Sequence, residues 1–210
     1  MSAPVPRVSA RVLEASYIAT AQDITGLPPA AFAEVAFAGR SNVGKSSLIN
    51  MVVERRKLVR TSSTPGATRG ISIFRVEIKD ADGERATIDL VDLPGYGYAK
   101  RSKDERKSWG PMIEGFLEQR VGLRGVVLLV DARRGLDDDD VQLVEYLAHI
   151  DRPCVIVATK FDKLSKSERG PTIAKLTKQA GITPIAASAE TREGREVLLA
   201  CVLDLCGVRC

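Results

Sequence analysis

The chain is 210 residues long, 44% hydrophobic and 28% charged. That composition suits one globular domain with a sizeable core and excludes a fibrous or low-complexity chain. Its 31 basic and 27 acidic residues leave a net charge of +4, so bulk charge alone demands no polyanionic partner. No apolar run approaches the roughly 20 residues that cross a bilayer. The start, Met1-Ser2-Ala3-Pro4-Val5-Pro6-Arg7, lacks the continuous apolar core of a signal peptide. The expectation is a cytoplasmic protein with no membrane partner.

Residues 1–29 read as an N-terminal arm or an edge strand, with 8–18 the stretch able to pair. One nucleotide-binding domain is expected over 30–210. Its first strand is the apolar run Glu34-Val35-Ala36-Phe37-Ala38. Next comes Gly39-Arg40-Ser41-Asn42-Val43-Gly44-Lys45-Ser46, followed by Ser47 and a helix over 45–53. A polar loop over 60–70 leads into a strand over 71–79 that sets Phe74, Val76 and Ile78 on one face. Asp82-Gly83 is a turn, and 85–91 alternates again, so these two strands form a hairpin and one strand of the sheet runs antiparallel. A polar helix over 104–120 carries Trp109, Ile113, Phe116 and Leu117. The run 125–130 is continuously apolar, as in a strand buried on both faces. Asp137-Asp138-Asp139-Asp140 reads as the acidic opening of a helix over 141–150 rather than as a metal site. A strand over 154–158, a helix over 171–180, a strand over 184–187 and a helix over 196–205 complete the chain. The fold class is three-layer α/β. Its sheet is expected to be six-stranded and mostly parallel with one antiparallel strand, and helices cover both faces. Cys154 reads as a buried thiol. Cys201, Cys206 and Cys210 lack the paired spacing of a metal site and read as inert.

The run from Gly39 to Ser46 fits G-x-x-x-x-G-K-[ST] between a strand and a helix, the context this phosphate-binding motif requires. Its glycines let backbone N–H groups turn inward around an anion, and the helix N-terminus adds partial positive charge there. Lys45 is placed to reach β- and γ-phosphates, and the Ser46 hydroxyl to ligate Mg²⁺. Asp92-Leu93-Pro94-Gly95 follows a strand end. Asp92 there can hold Mg²⁺ or its water shell, and Gly95 lets a backbone N–H approach the γ-phosphate.

Thr159-Lys160-Phe161-Asp162 follows another strand. Guanine presents two N–H donors on one edge, which a single carboxylate accepts together; adenine offers no such pair. Asp162 is that carboxylate, and the Lys160 stem can lie along the purine. Ala187-Ser188-Ala189 is small enough for backbone N–H groups to approach the guanine oxygen. Thr61, Thr64 and Thr68 all lie in the loop that would complete Mg²⁺ coordination, and spacing alone does not choose among them.

These stretches, with Ser47-Leu48-Ile49-Asn50, Thr61-Ser62-Ser63-Thr64-Pro65-Gly66-Ala67-Thr68 and Tyr96-Gly97-Tyr98-Ala99, resemble the EngB family of bacterial ribosome-biogenesis GTPases, in the Era-like superfamily. The resemblance covers about residue 30 to the C-terminus. It implies a compact P-loop NTPase domain of the Ras-like type that binds GTP and GDP with Mg²⁺, hydrolyses GTP and assists large-subunit assembly. Its expected partners are the large ribosomal subunit or its assembly intermediates, through rRNA and ribosomal proteins, and the expected state is a monomer. It assigns the Mg²⁺ threonine to Thr68, beside Ser46 and Asp92. It lays Gly66, Ala67, Thr68, Arg69 and Gly70 over the phosphates, and makes Lys45, Thr68 and Gly95 the catalytic set. Phe161 and the Arg69-Gly70 pair depart from the family pattern.

Tyr96 stands where Ras-type GTPases carry the Gln that orients the attacking water. Intrinsic hydrolysis is therefore expected to be slow and partner-dependent. Arg55, Arg56, Lys57 and Arg60 precede the first loop. Lys100, Arg101, Lys103, Arg106 and Lys107 follow the second, a distribution suited to RNA. The alternatives are another Era-like GTPase acting in tRNA modification or at membranes, and a P-loop small-molecule kinase. The first would carry an extra domain; the second would have no need of Asp162.

Overall fold

The structure is a computed structural model and describes residues 10–59, 70–96 and 103–210, with backbone alone for 103–110. Along the chain run β1 (Arg11–Ala21), β2 (Ala33–Gly39), α1 (Lys45–Val52), β3 (Ile71–Lys79), β4 (Arg85–Asp92) and α2 (Lys103–Gln119). Then follow β5 (Leu123–Asp131), α3 (Asp138–His149), β6 (Cys154–Thr159), α4 (Lys166–Ala180), β7 (Ile185–Ala186) and α5 (Arg195–Leu205).

Among the described residues the strands form one seven-stranded sheet in the order β1-β3-β4-β2-β5-β6-β7. β3 is antiparallel to both of its neighbours, and every other pair is parallel. The fold class is thus the expected one, with a single antiparallel strand. The strand beyond the six counted in sequence is β1, which pairs with β3 from Arg11↔Lys79 to Ala21↔Ile71. Its apolar alternation is broken by irregularities at Val12/Glu14 and Tyr17/Ala19, which weakens its signal in sequence.

Period-two alternation divides the core into two layers. Ala36, Ala38, Val126, Leu128 and Val130 face Ile113, Phe116 and Leu117 of α2, Leu143 and Leu147 of α3, and Leu176 of α4. Val35, Phe37, Val127 and Leu129 face Leu48, Ile49 and Val52 of α1, and Leu198, Leu199, Val202 and Leu203 of α5. Both faces of the central strands are buried, which is why β5 reads as unbroken apolar sequence. Arg120, just past α2, makes a buried two-pronged pair with Glu34 of β2 at 2.8 and 2.7 Å, tying that helix end to the sheet.

The acidic run does open α3. The Asp137 carboxylate accepts from the Asp140 N–H at 3.2 Å, and Asp140 returns the bond to the Asp137 N–H at 3.1 Å. α4 begins five residues before the expected Pro171, because Ser165 and Glu168 form a capping box there. Pro171 lies inside the helix, where it cannot donate to the Ser167 carbonyl one turn back. Burial pushes the thiols of Cys154 and Cys206 up to about 12, away from reactivity.

Candidate nucleotide site

Parallel β2, β4, β5 and β6 all end on the same edge of the sheet, and the signature residues sit at those ends. β2 runs into the phosphate loop. Gly39 has φ 152°, and an added Cβ would lie 2.8 Å from the Leu129 carbonyl oxygen, so no side chain fits. Gly44 at φ 104° is left-handed and turns the chain directly into α1. Ser46 and Ser47 fall in the first turn of α1, whose leading amides have no partner within the helix.

β4 lies beside β2, with Phe37 opposite Asp92, so the strand-end carboxylate comes next to the loop. Asp92 is 1% exposed and ion-paired with Lys45, itself buried. Burial raises the Asp92 pKa, against the pull of the Lys45 ammonium. The segment behind it hugs the loop. The Leu93 N–H donates to the Phe37 carbonyl at 3.1 Å, and the Ser41 N–H to the Tyr96 carbonyl at 3.0 Å. A Cβ on Gly95 would lie 3.0 Å from Ser41 Oγ, so only glycine allows this approach. Pro94 is buried between them.

The base-reading segments meet at the ends of β6 and β7. The Thr159 hydroxyl donates to the Val43 carbonyl at 2.8 Å, with Val130 O at 3.2 Å, so this threonine fastens the phosphate loop. Lys160, at φ 55°, donates through Nζ to Asn42 O at 2.7 Å and reaches Asp131 Oδ2 at 3.1 Å. The Ser188 hydroxyl, fully buried, donates to Asp162 Oδ1 at 2.6 Å, and Lys163 approaches the other oxygen at 3.0 Å. The Ser188 bond holds the Asp162 carboxyl below its usual range, so it is ionised and fixed. Phe161 is buried with its N–H on the Ala187 carbonyl at 3.1 Å and the Arg169 guanidinium over its ring. Ala189 packs on the layer beneath.

Tyr96 does not point at the phosphate loop. Its ring is 2% exposed, and its hydroxyl donates to Asp140 Oδ1 of α3 at 2.6 Å. Burial and then the Asp140 carboxylate push the phenol well above its usual pKa, and burial pushes Asp140 up to about 6. The Tyr96 hydroxyl is thus engaged by α3.

Sequence reading missed Tyr96–Asp140 and also Asp131. Burial works to raise the Asp131 pKa, but hydrogen bonds from Arg133 and Lys160 outweigh it and bring it to about 2. The signal was an apolar strand ending in Asp, as β4 does. A cavity of about 150 Å³ flanks the phosphate loop on its α3 side, lined by Arg40, Asn42, Asp131, Arg134 and Asp137 among others. Asp162 is not among its walls, so it is not the base-reading part of the site.

Thr61, Thr64, Gly66, Ala67, Thr68 and Arg69 lie outside the described residues, as do Lys100 and Arg101 and the side chains of Lys103, Arg106 and Lys107. Gly70 is described and packs on β1, where a Cβ would lie 2.5 Å from the Ala21 carbonyl oxygen.

A phosphate loop pressed by a strand-end Asp-x-x-Gly segment and pinned by a Thr-Lys-x-Asp loop defines a P-loop GTPase. The family model described as "50S ribosome-binding GTPase" matches residues 34–160. A probable GTP-binding protein EngB of Pelobacter propionicus is 47% identical over 197 residues, covering 92% of this chain and 94% of the relative. Another, of Trichlorobacter lovleyi, is 44% identical over 194 residues, with coverage of 91% and 94%. A crystal structure of a probable GTP-binding protein engB superposes with a TM-score of 0.64 at 27% identity, over 83% of this chain and 99% of that one. Era, solved with MgGDPNP and nucleotides 1506–1542 of 16S ribosomal RNA, gives a TM-score of 0.66 at 25% identity, over 83% of this chain and 56% of that one. The chain belongs to the EngB family of GTP-binding proteins and is a GTPase.

Proposed function

We propose that this GTPase is a nucleotide-controlled switch in assembly of the large ribosomal subunit, slow alone and accelerated by the particle it engages. The observation that carries the reading is Tyr96. The side chain at the water-orienting position is committed to Asp140, so the chain's own described residues offer no group to direct the attacking water. Support for the partner comes from the matching family description and from basic residues on both sides of the nucleotide loops. The protein is proposed to act in the cytoplasm as a monomer. Among the described residues no helix is long and apolar enough to cross a membrane.

In this reading the loop Gly39, Arg40, Ser41, Asn42, Val43 and Gly44 wraps the phosphates, with the Ser41 N–H staying on the Tyr96 carbonyl. Lys45 leaves Asp92 for the β- and γ-oxygens, and the Gly95 N–H meets the γ-phosphate. Ser46, Thr68 and Asp92 supply oxygen donors, the ligand type that Mg²⁺ takes, and the buried Asp92 carboxylate already holds a cation. Mg²⁺ bound there neutralises charge on the β- and γ-phosphates. Asp162 reads the guanine edge, oriented by Ser188. Ala187 and Ala189 leave room for the base.

The test is co-sedimentation with large-subunit particles, with GDP and with a non-hydrolysable GTP analogue, at two salt concentrations. Binding should be tighter with the analogue and should weaken with salt as phosphate contacts release counterions. Charge reversal at Arg101 and Lys103 should weaken it without changing GDP affinity. Binding indifferent to nucleotide and to those residues overturns the reading.

A further inference from the structure

Residues 92–96 are held at both ends. Leu93 is fully buried and bonded through its N–H to β2 at 3.1 Å. Tyr96 is bridged to Arg40 of the phosphate loop, with its N–H on the Gly39 carbonyl at 3.4 Å and its carbonyl accepting from the Ser41 N–H at 3.0 Å. Its side chain is anchored separately, to Asp140 at 2.6 Å. Asp140 is 1% exposed, and its second oxygen accepts from the Asp137 N–H at 3.1 Å. Asp137 is ion-paired with Arg40. The circuit from Arg40 to Tyr96, Asp140, Asp137 and back to Arg40 is closed. Gly95 adjoins it through Tyr96 and lies against Ser41.

A closed ring of bonds through a buried carboxylate is stiff. Breaking one member leaves a buried acceptor unsatisfied, which is costlier than losing an exposed bond. A donor that must meet developing charge works best when its position is set beforehand.

We propose that Tyr96 and Asp140 are positioning residues for the GTPase reaction. Their hydrogen bond fixes the Gly95 amide where a γ-phosphate oxygen arrives. This rests on the nucleotide-switch reading above. It assigns the residue after Gly95 a fixed place in the scaffold, in contrast to the water-orienting part that position plays in Ras-type enzymes.

The test compares wild-type protein, Tyr96→Phe, Asp140→Ala and Asp140→Asn, each titrated with GDP and with a non-hydrolysable GTP analogue. Tyr96→Phe keeps the ring and removes only the hydroxyl. It should weaken the analogue roughly five- to tenfold and move GDP by less than about twofold, the low end of a coupling between sites. Asp140→Ala should do the same. Asp140→Asn retains an oxygen for the Tyr96 hydroxyl but loses the acceptor for the Asp137 N–H. It should keep more of the wild-type ratio of the two affinities than Asp140→Ala does, which mere fraying of α3 would not allow. In wild-type protein the Leu93 and Tyr96 amides, bonded to the Phe37 and Gly39 carbonyls, should exchange slowly in both nucleotide states, a measurement independent of whether any variant folds. A wild-type chain that binds neither guanine nucleotide overturns the nucleotide reading and this inference with it. Guanine binding with a GTP-to-GDP ratio unmoved by Tyr96→Phe, or rapid wild-type exchange at Tyr96, overturns this inference alone.

Discussion

Lys160 donates to the backbone carbonyl of Asn42 across 2.7 Å, so a residue of the base-reading loop braces the phosphate loop from outside. Thr159 makes the second tie, to Val43 at 2.8 Å. Base recognition and phosphate recognition are therefore one mechanical unit, and damage to either loop should be felt by both ends of the nucleotide.

Asp162→Asn should weaken GDP and GTP by roughly a hundredfold or more, since two hydrogen bonds to a charged acceptor are each worth about 1.5–3 kcal/mol. The same variant should favour xanthine nucleotides, whose altered edge suits an amide. Ser188→Ala should lower GDP affinity about tenfold by freeing the Asp162 carboxylate, again one charge-assisted bond. Titration with fluorescent guanine and xanthine nucleotides reads all of these. Unchanged GDP affinity in Asp162→Asn would remove the carboxylate from base reading.

Mg²⁺ dependence should sit on Ser46. Ser46→Ala should bind both nucleotides as weakly with Mg²⁺ as wild-type protein does after chelation by EDTA. Thr68→Ala should spare GDP and weaken the GTP analogue. Equal losses for the two nucleotides would transfer the loop's ligand role to Thr61 or Thr64.

Turnover of the purified chain should stay below about 1 s⁻¹, the lower edge of partner-activated hydrolysis in Ras-type enzymes. Tyr96→Gln should not accelerate it, because position 96 faces α3 and its backbone is bridged to Arg40. Phosphate release under single-turnover conditions measures both. A Gln variant several times faster than wild type would show that the side chain can swing out over the phosphates.

Stability in acid should depend on Asp131. Its folded pKa of about 2 lies below its ordinary 3.8, so the unfolded chain takes up the proton first. The stabilisation is complete above that ordinary value and disappears as pH falls through the folded one. Its size is at most about 2 kcal/mol, because Arg133 is 46% exposed and water screens its share. Asp131→Asn should flatten the melting temperature between about pH 4 and pH 2 relative to wild type. An unchanged acid limb would mean that Asp131 is no more ionised in the folded protein than in the unfolded one.

The phosphate loop, the Asp92–Gly95 segment and the Thr159–Asp162 segment were legible because each is a contiguous motif whose spacing is fixed by the ligand. The sheet was legible because β2, β5 and β6 are apolar on both faces. Tyr96–Asp140 and Arg120–Glu34 were not, since partners 44 and 86 residues apart meet only through the topology. β1 stood open as arm or strand because half of its residues face solvent and its register slips twice. The start of α4 was hidden by Pro171, which looks like a first helical residue, although Ser165 and Glu168 carry the stronger signal. The choice among Thr61, Thr64 and Thr68 falls outside the described residues.

The order of synthesis runs against the order of use. The phosphate loop is complete by Ser46, yet the groove that selects guanine is finished only when Ser188 arrives to orient Asp162. The apolar side of β2 and β5 also waits, for α5 supplies Leu198, Leu199, Val202 and Leu203 to cover it. A nascent chain halted near residue 180 would therefore display a phosphate-binding loop with weakened discrimination among bases and a partly bare hydrophobic face. Guanine nucleotide can act as a folding ligand only once nearly the whole chain is made, and from then on occupancy and completion of the fold reinforce each other.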